Sequence, residues 1–375
     1  MGEILFLMAG AGPLMLSLTA RLAGYKLQRT YLNITLIILT LFAALRFQSG
    51  SDWPGYELFF DLVNLEISII SHLKYASDIE IEIGYYVLMR SVKALNGSYY
   101  HVLAICSVIS GISVYYLYRP IKENTDFAIV SYLGYAYLLL GFEQARQSMG
   151  LAFVLFGIAF YLKNDKSIIW LFIIASLGVL FQYSVAIYIF CAVISYLVTR
   201  FPRIGRATLT IFFLIALLIR NSNVNLFQFF MLAAFNDTLV SKVNIYEAAP
   251  TTTSVLNSIF SVFILLNAIL IYKNAKYQDN FRLKFLFNLT AFTLYLSFLV
   301  VFILPSFYYF YSRIYTLGSL LLPLTFFFLT SQKKSLIYTG FLVANYVALS
   351  LTYFRIIFTY SEQYLPYTPW LFKDF

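Results

Sequence analysis

Residues 285–304 have the sequence FLFNLTAFTLYLSFLVVFIL, in which no side chain is charged. A helix of about 20 apolar residues is long enough to cross the hydrocarbon core of a bilayer. The composition extends this pattern to the whole chain, because 61% of its 375 residues are hydrophobic and only 11% are charged. So few charges cannot cover a water-facing surface of this size. The sequence therefore predicts an all-α polytopic membrane protein.

The same pattern repeats and predicts about twelve transmembrane helices in a single membrane domain, residues 1–375. Two long connections interrupt it: 46–97, with amphipathic stretches at 56–72 and 79–95, and 221–254, which is rich in Asn and Thr. We expect such stretches to lie on the membrane surface. The first span ends in basic residues, so we expect it to be retained rather than cleaved as a signal peptide. The predicted spans are 4–20, 31–45, 99–118, 127–142, 147–162, 167–182, 184–199, 207–220, 255–272, 285–304, 314–330 and 335–354.

Charged residues are distributed unevenly between the two sets of connections. The set that includes the loop after the first span holds sixteen of the 26 basic residues and four of the 17 acidic residues. Short loops rich in Lys and Arg stay in the cytoplasm. This set is therefore predicted to be cytoplasmic, and both termini and both long connections extracytoplasmic. The net charge of +9 then reflects topology, and nucleic acid is not an expected partner.

Several classes of cofactor are disfavoured by what the sequence lacks. The cytoplasmic loops are too short for a nucleotide-binding domain and contain no Gly-rich phosphate loop. His72 and His101 have no partners at zinc-ligand spacing, and no Asp-rich motif suggests a magnesium–diphosphate site. Cys106 and Cys191 lie inside apolar runs and are expected to be buried thiols. We therefore expect no cofactor and no metal ion.

Charged residues at the extracytoplasmic ends of the spans are the candidate functional groups, because a charge near hydrocarbon is costly. Arg46 ends the second span, and a Gly-Ser-Asp turn that finishes at Asp52 leads on to Trp53 and Tyr56. Arg46 is suited to bind phosphate, with Asp52 orienting it or acting as a base. The alternative is a capped helix start with a structural ion pair.

A second charged cluster, between Glu143 and Gln147, joins the fourth and fifth spans. Glu143 and Arg146 are three residues apart, so they share a face if the turn is helical. The planar guanidinium of Arg146 suits a diphosphate, because it binds phosphate oxygens in pairs. The alternative is that Arg146 extends toward lipid headgroups and has no catalytic role.

Two further groups complete the candidate site. Tyr311, Arg313 and Tyr315 begin a late span, where the arginine suits a phosphate and the tyrosines can stack on a sugar ring. The alternative for the tyrosines is an ordinary aromatic belt at the membrane interface. Glu80 and Glu82, on the second amphipathic stretch, are either candidate general bases or part of a solvated helix face.

These residues carry a resemblance to a known family. The chain resembles the O-antigen and capsule repeat-unit polymerases (Wzy), in particular their EpsG-like branch, over most of its length. The family often has Phe-His at the end of the sixth span, where this chain has Phe181-Gln182, and Gln182 cannot transfer a proton as histidine does. The matching elements, in chain order, are Arg46 with Gly50-Ser51-Asp52 and Tyr56, Glu82-Ile83-Gly84-Tyr85, Ala145-Arg146-Gln147, Tyr311-Ser312-Arg313-Ile314-Tyr315 and Pro366-Tyr367.

The resemblance implies a glycosyltransferase of the C-type membrane architecture in a bacterial inner (cytoplasmic) membrane, with its active site facing the periplasm. It implies transfer of a growing glycan from undecaprenyl diphosphate onto the non-reducing end of a new lipid-linked repeat unit. The expected partners are the undecaprenyl-diphosphate-linked oligosaccharide and the lipid bilayer, and a chain-length regulator protein is a further candidate.

The charged residues fit this scheme on physical grounds. Preorganised arginines stabilise the negative charge that grows on a leaving diphosphate, and no nucleotide is needed when the lipid-linked donor is already activated. The residues predicted to contact the diphosphate are Arg146 and Arg313, with Arg46 as a third. The carboxylates predicted to act as a base or to orient substrate are Asp52, ahead of Glu143 and Glu82. The residues predicted to contact the glycan are Trp53, Tyr56, Gln147, Tyr311 and Tyr315.

Three other functions fit part of the pattern. A lipid-linked oligosaccharide flippase or transporter would have a similar number of spans, but its site would lie near the bilayer midplane, often between related halves. Here the charged residues cluster at one face and no internal repeat is found. An O-antigen ligase would share the chemistry, but its long extracytoplasmic loop lies late in the chain, whereas 46–97 is early. A non-catalytic assembly subunit would not depend on the arginines.

Overall fold

The computed structural model is helical over most of its length, as the apolar composition predicts. Among the described residues, regular strand structure is limited to one pair of two-residue strands. The predicted span 207–220 lies largely outside the described residues, and the connection 221–254, the stretch 69–80 and its Glu80 lie wholly outside them. The structure describes residues 2–50, 52–66, 68, 81–122, 125–163, 167–203, 207, 210–211, 213–214, 255–303, 308–332, 336–359, 364 and 368–369.

The elements follow the apolar segments of the sequence closely. Where the structure describes a predicted span, predicted and observed ends agree within six residues, and the third predicted span, 99–118, coincides with a helix. The helices and strands are α1 (Gly2–Leu22), α2 (Arg29–Ala44), β1 (Arg46–Phe47), α3 (Trp53–Asp61), α4 (Ile83–Ala94), α5 (Tyr99–Tyr118), α6 (Thr125–Ser131), the π-helical turns π1 (Tyr132–Tyr137) and π2 (Leu139–Glu143), α7 (Ala145–Lys163), α8 (Ile168–Val179), α9 (Ala186–Arg200), α10 (Val255–Ala275), α11 (Phe281–Ile303), α12 (Tyr308–Gln332), α13 (Leu336–Thr359) and β2 (Thr368–Pro369).

Within the described part of the chain, six helical segments are long and apolar enough to cross a membrane. Four shorter apolar helices, in α1, α2, α8 and α10, add to them. The protein is therefore a multi-pass helical membrane protein, and the count of twelve spans stays a prediction. The six segments are Tyr99–Tyr118, Ala145–Lys163, Tyr183–Arg200, Phe281–Phe302, Tyr311–Thr330 and Ile337–Thr359.

The chain forms two compact units, the first from Met1–Ile189 with Leu322–Phe375 and the second from Phe190–Leu321. In the first unit, α7 packs along α5 and α8, and α5 packs along α2. In the second unit, α10 and α11 pack along each other. The predicted thiols are confirmed, because both cysteines are free and buried.

Small residues allow a close helix contact in the first unit. A Cβ atom on Gly150 of α7 would lie 2.9 Å from the carbonyl oxygen of Gly178 of α8, and a Cβ on Gly178 would overlap the carbonyl oxygen of Gly150. Helices in membranes associate through such close backbone approach, because lipid removes most of the hydrophobic drive to pack. This contact fixes α7, whose N-terminal end carries several candidate residues.

The fourth predicted span, 127–142, is present as one helical segment from α6 through π1 and π2. The backbone N–H of Gln144 donates to the carbonyl of Leu139 at 2.8 Å, an i to i−5 bond that closes the last π turn. Gln144 then leaves helical geometry, with φ −109° and ψ 64°, and α7 starts at the next residue. Glu143 is thus placed at the end of a wider helix than the sequence pattern predicts.

Among its described residues, the early connection 46–97 contains two helices, α3 and α4, which overlap the predicted amphipathic stretches 56–72 and 79–95. They share a core with the start of α5, in which Tyr85 and Met89 are fully buried. Arg90 of α4 donates to the carbonyl oxygens of Asn64 and Leu65, at 3.0 and 2.6 Å, and so ties α4 to the segment after α3. The described helices of the connection, α3 and α4, are therefore packed into the first unit.

We predict that Gly178→Ala destabilises the first unit, because the new methyl group meets backbone that cannot move aside. Overpacking of this kind costs about 1–3 kcal/mol. The measurement is the midpoint of thermal aggregation of the purified protein in detergent. Gly340→Ala is the matched control, because a Cβ there meets nothing within 4 Å and a gain of up to about 1 kcal/mol in helix propensity is expected. Equal midpoints for the two variants would contradict the prediction.

Candidate active site

Arg146 lies in the first turn of α7 and is held by two side chains from other elements. Its Nη1 donates to Oε2 of Glu82 at 2.8 Å, and its Nε donates to the hydroxyl of Tyr56 at 3.2 Å. The guanidinium carbon also lies 5.0 Å from the centre of the Tyr56 ring, within the range of a cation–π contact. The alternative of an arginine extended toward lipid headgroups is therefore wrong.

Glu82 is placed by a short backbone contact. The N–H of Gly84, at the start of α4, donates to the carbonyl of Leu180 at 2.7 Å, and a Cβ on Gly84 would lie 2.8 Å from that oxygen. Oε1 of Glu82 accepts the backbone N–H of Tyr183 at 3.3 Å. Only 4% of Glu82 is exposed, so the solvated helix face is wrong. Its ion pair with Arg146 makes it an orienting carboxylate.

Arg46 follows α2 and is buried, with 2% of its surface exposed. Its guanidinium carbon lies 5.4 Å from the centre of the Phe142 ring. Nε and Nη1 are buried and form no hydrogen bond within the described part of the chain. Burial lowers the pKa of the Arg46 guanidinium, because the charged form loses its hydration. Arg46 is therefore a cation without a hydrogen-bonding anion among the described residues.

The turn after Arg46 depends on Gly50. Its φ is +97°, a region open to glycine, and a Cβ there would overlap the carbonyl oxygen of Phe142. The turn therefore lies against the end of π2. Asp52 follows it, exposed, and makes no side-chain cap to α3, so the alternative of a helix start capped by Asp52 is wrong. Trp53 is half-buried at the first position of α3.

Glu143, at the end of π2, is a carboxyl group whose ionisation is shifted by its surroundings. Burial, chiefly, and the negative charge of Asp52 raise its pKa, while Arg46 lowers it, and the resulting pKa is about 7. The hydroxyl of Tyr364 donates a hydrogen bond to its Oε1. Such a carboxyl can both accept and release a proton near neutral pH.

Glu143 and Arg146 would share a face only if the turn between them were helical, and that condition is not met. Gln144 interrupts the helix between them. Glu143 pairs with Tyr364, whereas Arg146 pairs with Glu82. The two groups therefore belong to different hydrogen-bonding sets.

Gln147 lies one residue further along α7 and is buried, with 2% exposed. Its Nε2 donates to the hydroxyl of Tyr188 at 2.7 Å. Its Oε1 is buried and has no hydrogen-bond donor among the described residues, which leaves one acceptor directed into the interior. The Oε1 of Gln144 is buried in the same way.

The late cluster belongs to the second unit. The rings of Tyr311 and Tyr315 are buried and stack on each other, with centres 5.6 Å apart and planes 16° apart. Tyr315 also meets Phe260 edge-on at 5.6 Å. The alternative of an interfacial aromatic belt is wrong for these two tyrosines, because they pack inside the unit. Arg313 is partly exposed on the same helix, α12.

The structure thus brings Arg46, Asp52, Tyr56, Glu82 and Arg146 into one unit with Glu143 and Gln147. Three contributors escaped the sequence reasoning, namely Phe142, Tyr188 and Tyr364. Aromatic side chains are common in this chain, so none of the three stood out; the nearest signal was the Pro-Tyr element just after Tyr364. Among the described residues no group of three or more His, Cys, Asp or Glu side chains is placed to hold a metal ion.

Comparison with known proteins agrees with the sequence resemblance. The model of the EpsG family matches residues 29–369. The chain belongs to the EpsG family. Searches of curated proteins and of solved structures gave no match. EpsG-like proteins are Wzy-type, glycosyltransferase-like polymerases, so this EpsG-family chain is a polysaccharide-polymerase-like membrane protein.

Removing one partner of the Glu82–Arg146 pair should destabilise this EpsG-family protein. We predict that Glu82→Ala lowers its thermal midpoint in detergent, because it leaves a largely buried guanidinium without its anion. Breaking a buried pair costs about 3–5 kcal/mol, and the 19% exposure of the Arg146 side chain favours the lower end. Glu66→Ala, at an exposed carboxylate, is the control. A midpoint equal to that of the control would exclude a structural role for the pair.

The ionisation of Glu143 can be measured by chemical labelling. A hydrophobic carbodiimide reacts with protonated carboxyl groups, so labelling of Glu143 in native membranes should fall as pH rises, with a midpoint near 7. An ordinary glutamate has a pKa of about 4.3 and would lose its label some three units lower. The label is read by peptide mass spectrometry, with Glu143→Gln as the blank. A midpoint below 5 would contradict the environment described for Glu143.

Proposed function

We propose that this protein polymerises lipid-linked repeat units at the periplasmic face of the bacterial inner membrane. It transfers a growing glycan from undecaprenyl diphosphate onto the non-reducing end of a new repeat unit on the same carrier. A hydroxyl of the new unit attacks the anomeric carbon of the donor. The bond to the diphosphate oxygen breaks, and undecaprenyl diphosphate leaves.

The observation that carries this proposal is the pair of buried guanidinium nitrogens of Arg46, Nε and Nη1, which form no hydrogen bond with any described residue. A buried cation whose Nε and Nη1 have no acceptor in the described residues is costly unless an anion arrives to complete it. The Phe142 ring under Arg46 is four residues before Arg146, so one short segment links the two arginines. A diphosphate is a suitable anion, because arginine binds phosphate oxygens in pairs.

Arg146 contributes a second positive charge, and its contacts fix the direction in which its guanidinium points. The N-terminus of α7 carries the positive end of the helix dipole and unsatisfied backbone N–H groups, which favour anions. A cation in that turn is unfavourable until an anion lies nearby, and Glu82 supplies one in the absence of substrate. Glu82 and Tyr56 hold the guanidinium in a fixed direction, which is what stabilisation of a leaving group requires.

The three candidate carboxylates lie in different environments, and the comparison supports Glu143 as the general base. Glu82 is occupied by Arg146 and by the Tyr183 N–H. Asp52 is exposed, and we assign to its charge the role of raising the pKa of Glu143. A pKa of about 7 suits a base that must take a proton and later release it at neutral pH. Glu143 therefore replaces Asp52 at the head of the candidate bases.

The remaining contacts are assigned to the glycan and to a further phosphate contact. The Oε1 of Gln147, which has no hydrogen-bond donor among the described residues, can accept a hydrogen bond from a sugar hydroxyl. Trp53, half-buried beside the turn, can stack on a pyranose ring. Arg313, in the second unit, stays a predicted phosphate-binding residue, and Tyr311 and Tyr315 stack beside it on the same helix.

The test is polymerisation in membranes that contain one variant at a time. We predict that Arg46→Ala, Arg146→Lys and Arg313→Ala each reduce polymer synthesis from a lipid-linked repeat unit about 10²–10³-fold, the cost of losing one preorganised donor to a developing negative charge. Lysine keeps the charge of Arg146 but loses its planar fork. The measurement is a gel ladder with release of undecaprenyl diphosphate, normalised to membrane abundance.

Arg119→Ala, at an exposed arginine just after α5, is the matched control and should leave the ladder unchanged. In cells, a ladder that collapses to a single repeat unit at normal protein abundance supports polymerisation, because export still works. A full ladder in the Arg46 and Arg146 variants would refute the site. Loss of even the single exported unit would favour the flippase or the ligase.

A further inference from the structure

The C-terminal end of the chain reaches the candidate base. Tyr364 is fully buried, and its hydroxyl donates a hydrogen bond to Oε1 of Glu143. Its ring meets the ring of Phe142 edge-on, with centres 6.2 Å apart and planes 82° apart. Phe142 in turn lies under the guanidinium of Arg46. Tyr364 therefore contacts both residues that form the end of π2.

A second contact holds the same end of the chain. Strand β2, four residues after Tyr364, pairs antiparallel with β1, with Thr368 opposite Phe47 and Pro369 opposite Arg46. The C-terminal end is thus attached to the segment that carries Arg46 as well as to the one that carries Glu143. Two attachments separated by a few residues restrict where the hydroxyl of Tyr364 can lie.

We propose that Tyr364 is a positioning residue for polymerisation, which holds the Glu143 carboxyl through Oε1 and leaves Oε2 to accept a proton from the acceptor sugar. The inference rests on the proposed function, in which Glu143 is the base. Oε2 takes the hydroxyl proton as the sugar oxygen bonds to the anomeric carbon, and the electron pair of the broken bond leaves with the diphosphate.

The hydroxyl of Tyr364 is the neutral member of the set that faces Glu143. Among the described residues the charged groups that act on this carboxyl are Asp52, from the turn before α3, and Arg46, from β1. A hydrogen bond donated to a carboxylate stabilises its charged form and so lowers its pKa. Without Tyr364, burial and the charge of Asp52 would hold Glu143 protonated at a higher pH, and fewer molecules would carry an active base.

The experiment compares Tyr364→Phe with wild type by two readouts in native membranes. Loss of a hydrogen bond to a charged group should move the midpoint of carbodiimide labelling at Glu143 upward by about one pH unit. The acid limb of the pH–rate profile for polymerisation should move upward by the same amount. At pH 6 the rate should therefore fall by about tenfold, with a smaller loss at pH 9.

Tyr353→Phe is the matched control. Tyr353 lies on α13 in the same unit, is fully buried, and its hydroxyl has no hydrogen-bond partner among the described residues. Removal of that hydroxyl should leave both the labelling midpoint and the acid limb in place. Phenylalanine preserves the ring in both variants, so membrane abundance and thermal midpoint should match wild type. A shift of the same size in Tyr353→Phe would overturn the proposal, because a general effect of packing would then explain it.

The two readouts separate this inference from the proposed function. An unchanged labelling midpoint in Tyr364→Phe overturns the inference whether or not the protein polymerises glycans. A shifted midpoint with an unmoved acid limb also overturns it, because Glu143 would not be the base that limits the rate. If wild-type membranes make no polymer, the proposed function fails and the positioning role fails with it, while the labelling comparison still measures the Tyr364–Glu143 contact.

Discussion

The first unit depends on the need to neutralise Arg146 in apolar surroundings. A guanidinium that is largely buried at the positive end of a helix is unfavourable for two reasons, and the Glu82 carboxylate offsets both. The same carboxylate accepts the Tyr183 N–H, and Gly84 next to it bonds Leu180. One ion pair thereby joins α4 to α7 and to the turn after α8, which are far apart in sequence.

The two arginines of this unit meet the cost of burial in different ways. Arg146 has an anion, a hydroxyl and an aromatic face, so it is held even without substrate. Arg46 has an aromatic face, but its Nε and Nη1 have no acceptor in the described residues. A guanidinium whose hydrogen bonds are already formed is fixed in direction, whereas one with hydrogen bonds still to form gains energy when an anion binds. The division explains how a site can be rigid and still gain energy when it is filled.

The sequence predicted the helices well and the pairings poorly. Apolar length alone placed α5 at residues 99–118, because the bilayer sets how long such a run must be. The types of site residue were also predictable, since Arg46 and Arg146 stand out where charges are scarce. Local spacing could not show that Arg146 pairs with Glu82 rather than Glu143, because a π turn has no simple hydrophobic period and the partner is 64 residues away. Local spacing could not identify Tyr364 either, because it lies far from Glu143 in the sequence and is one of 32 tyrosines.

Because of the π turns within residues 132–143, the direction of the Glu143 side chain depends on the number of residues that precede it. Each residue of an ordinary α-helix turns the side-chain direction by about 100°. A wider turn holds one residue more than an α turn, so the two π segments change the direction in which the last side chain points. The carboxyl of Glu143 is therefore aimed by the number of residues before it as well as by their chemistry. A sequence alignment that closes a one-residue gap in this segment would still align the glutamate with Glu143, but the two side chains would point in different directions.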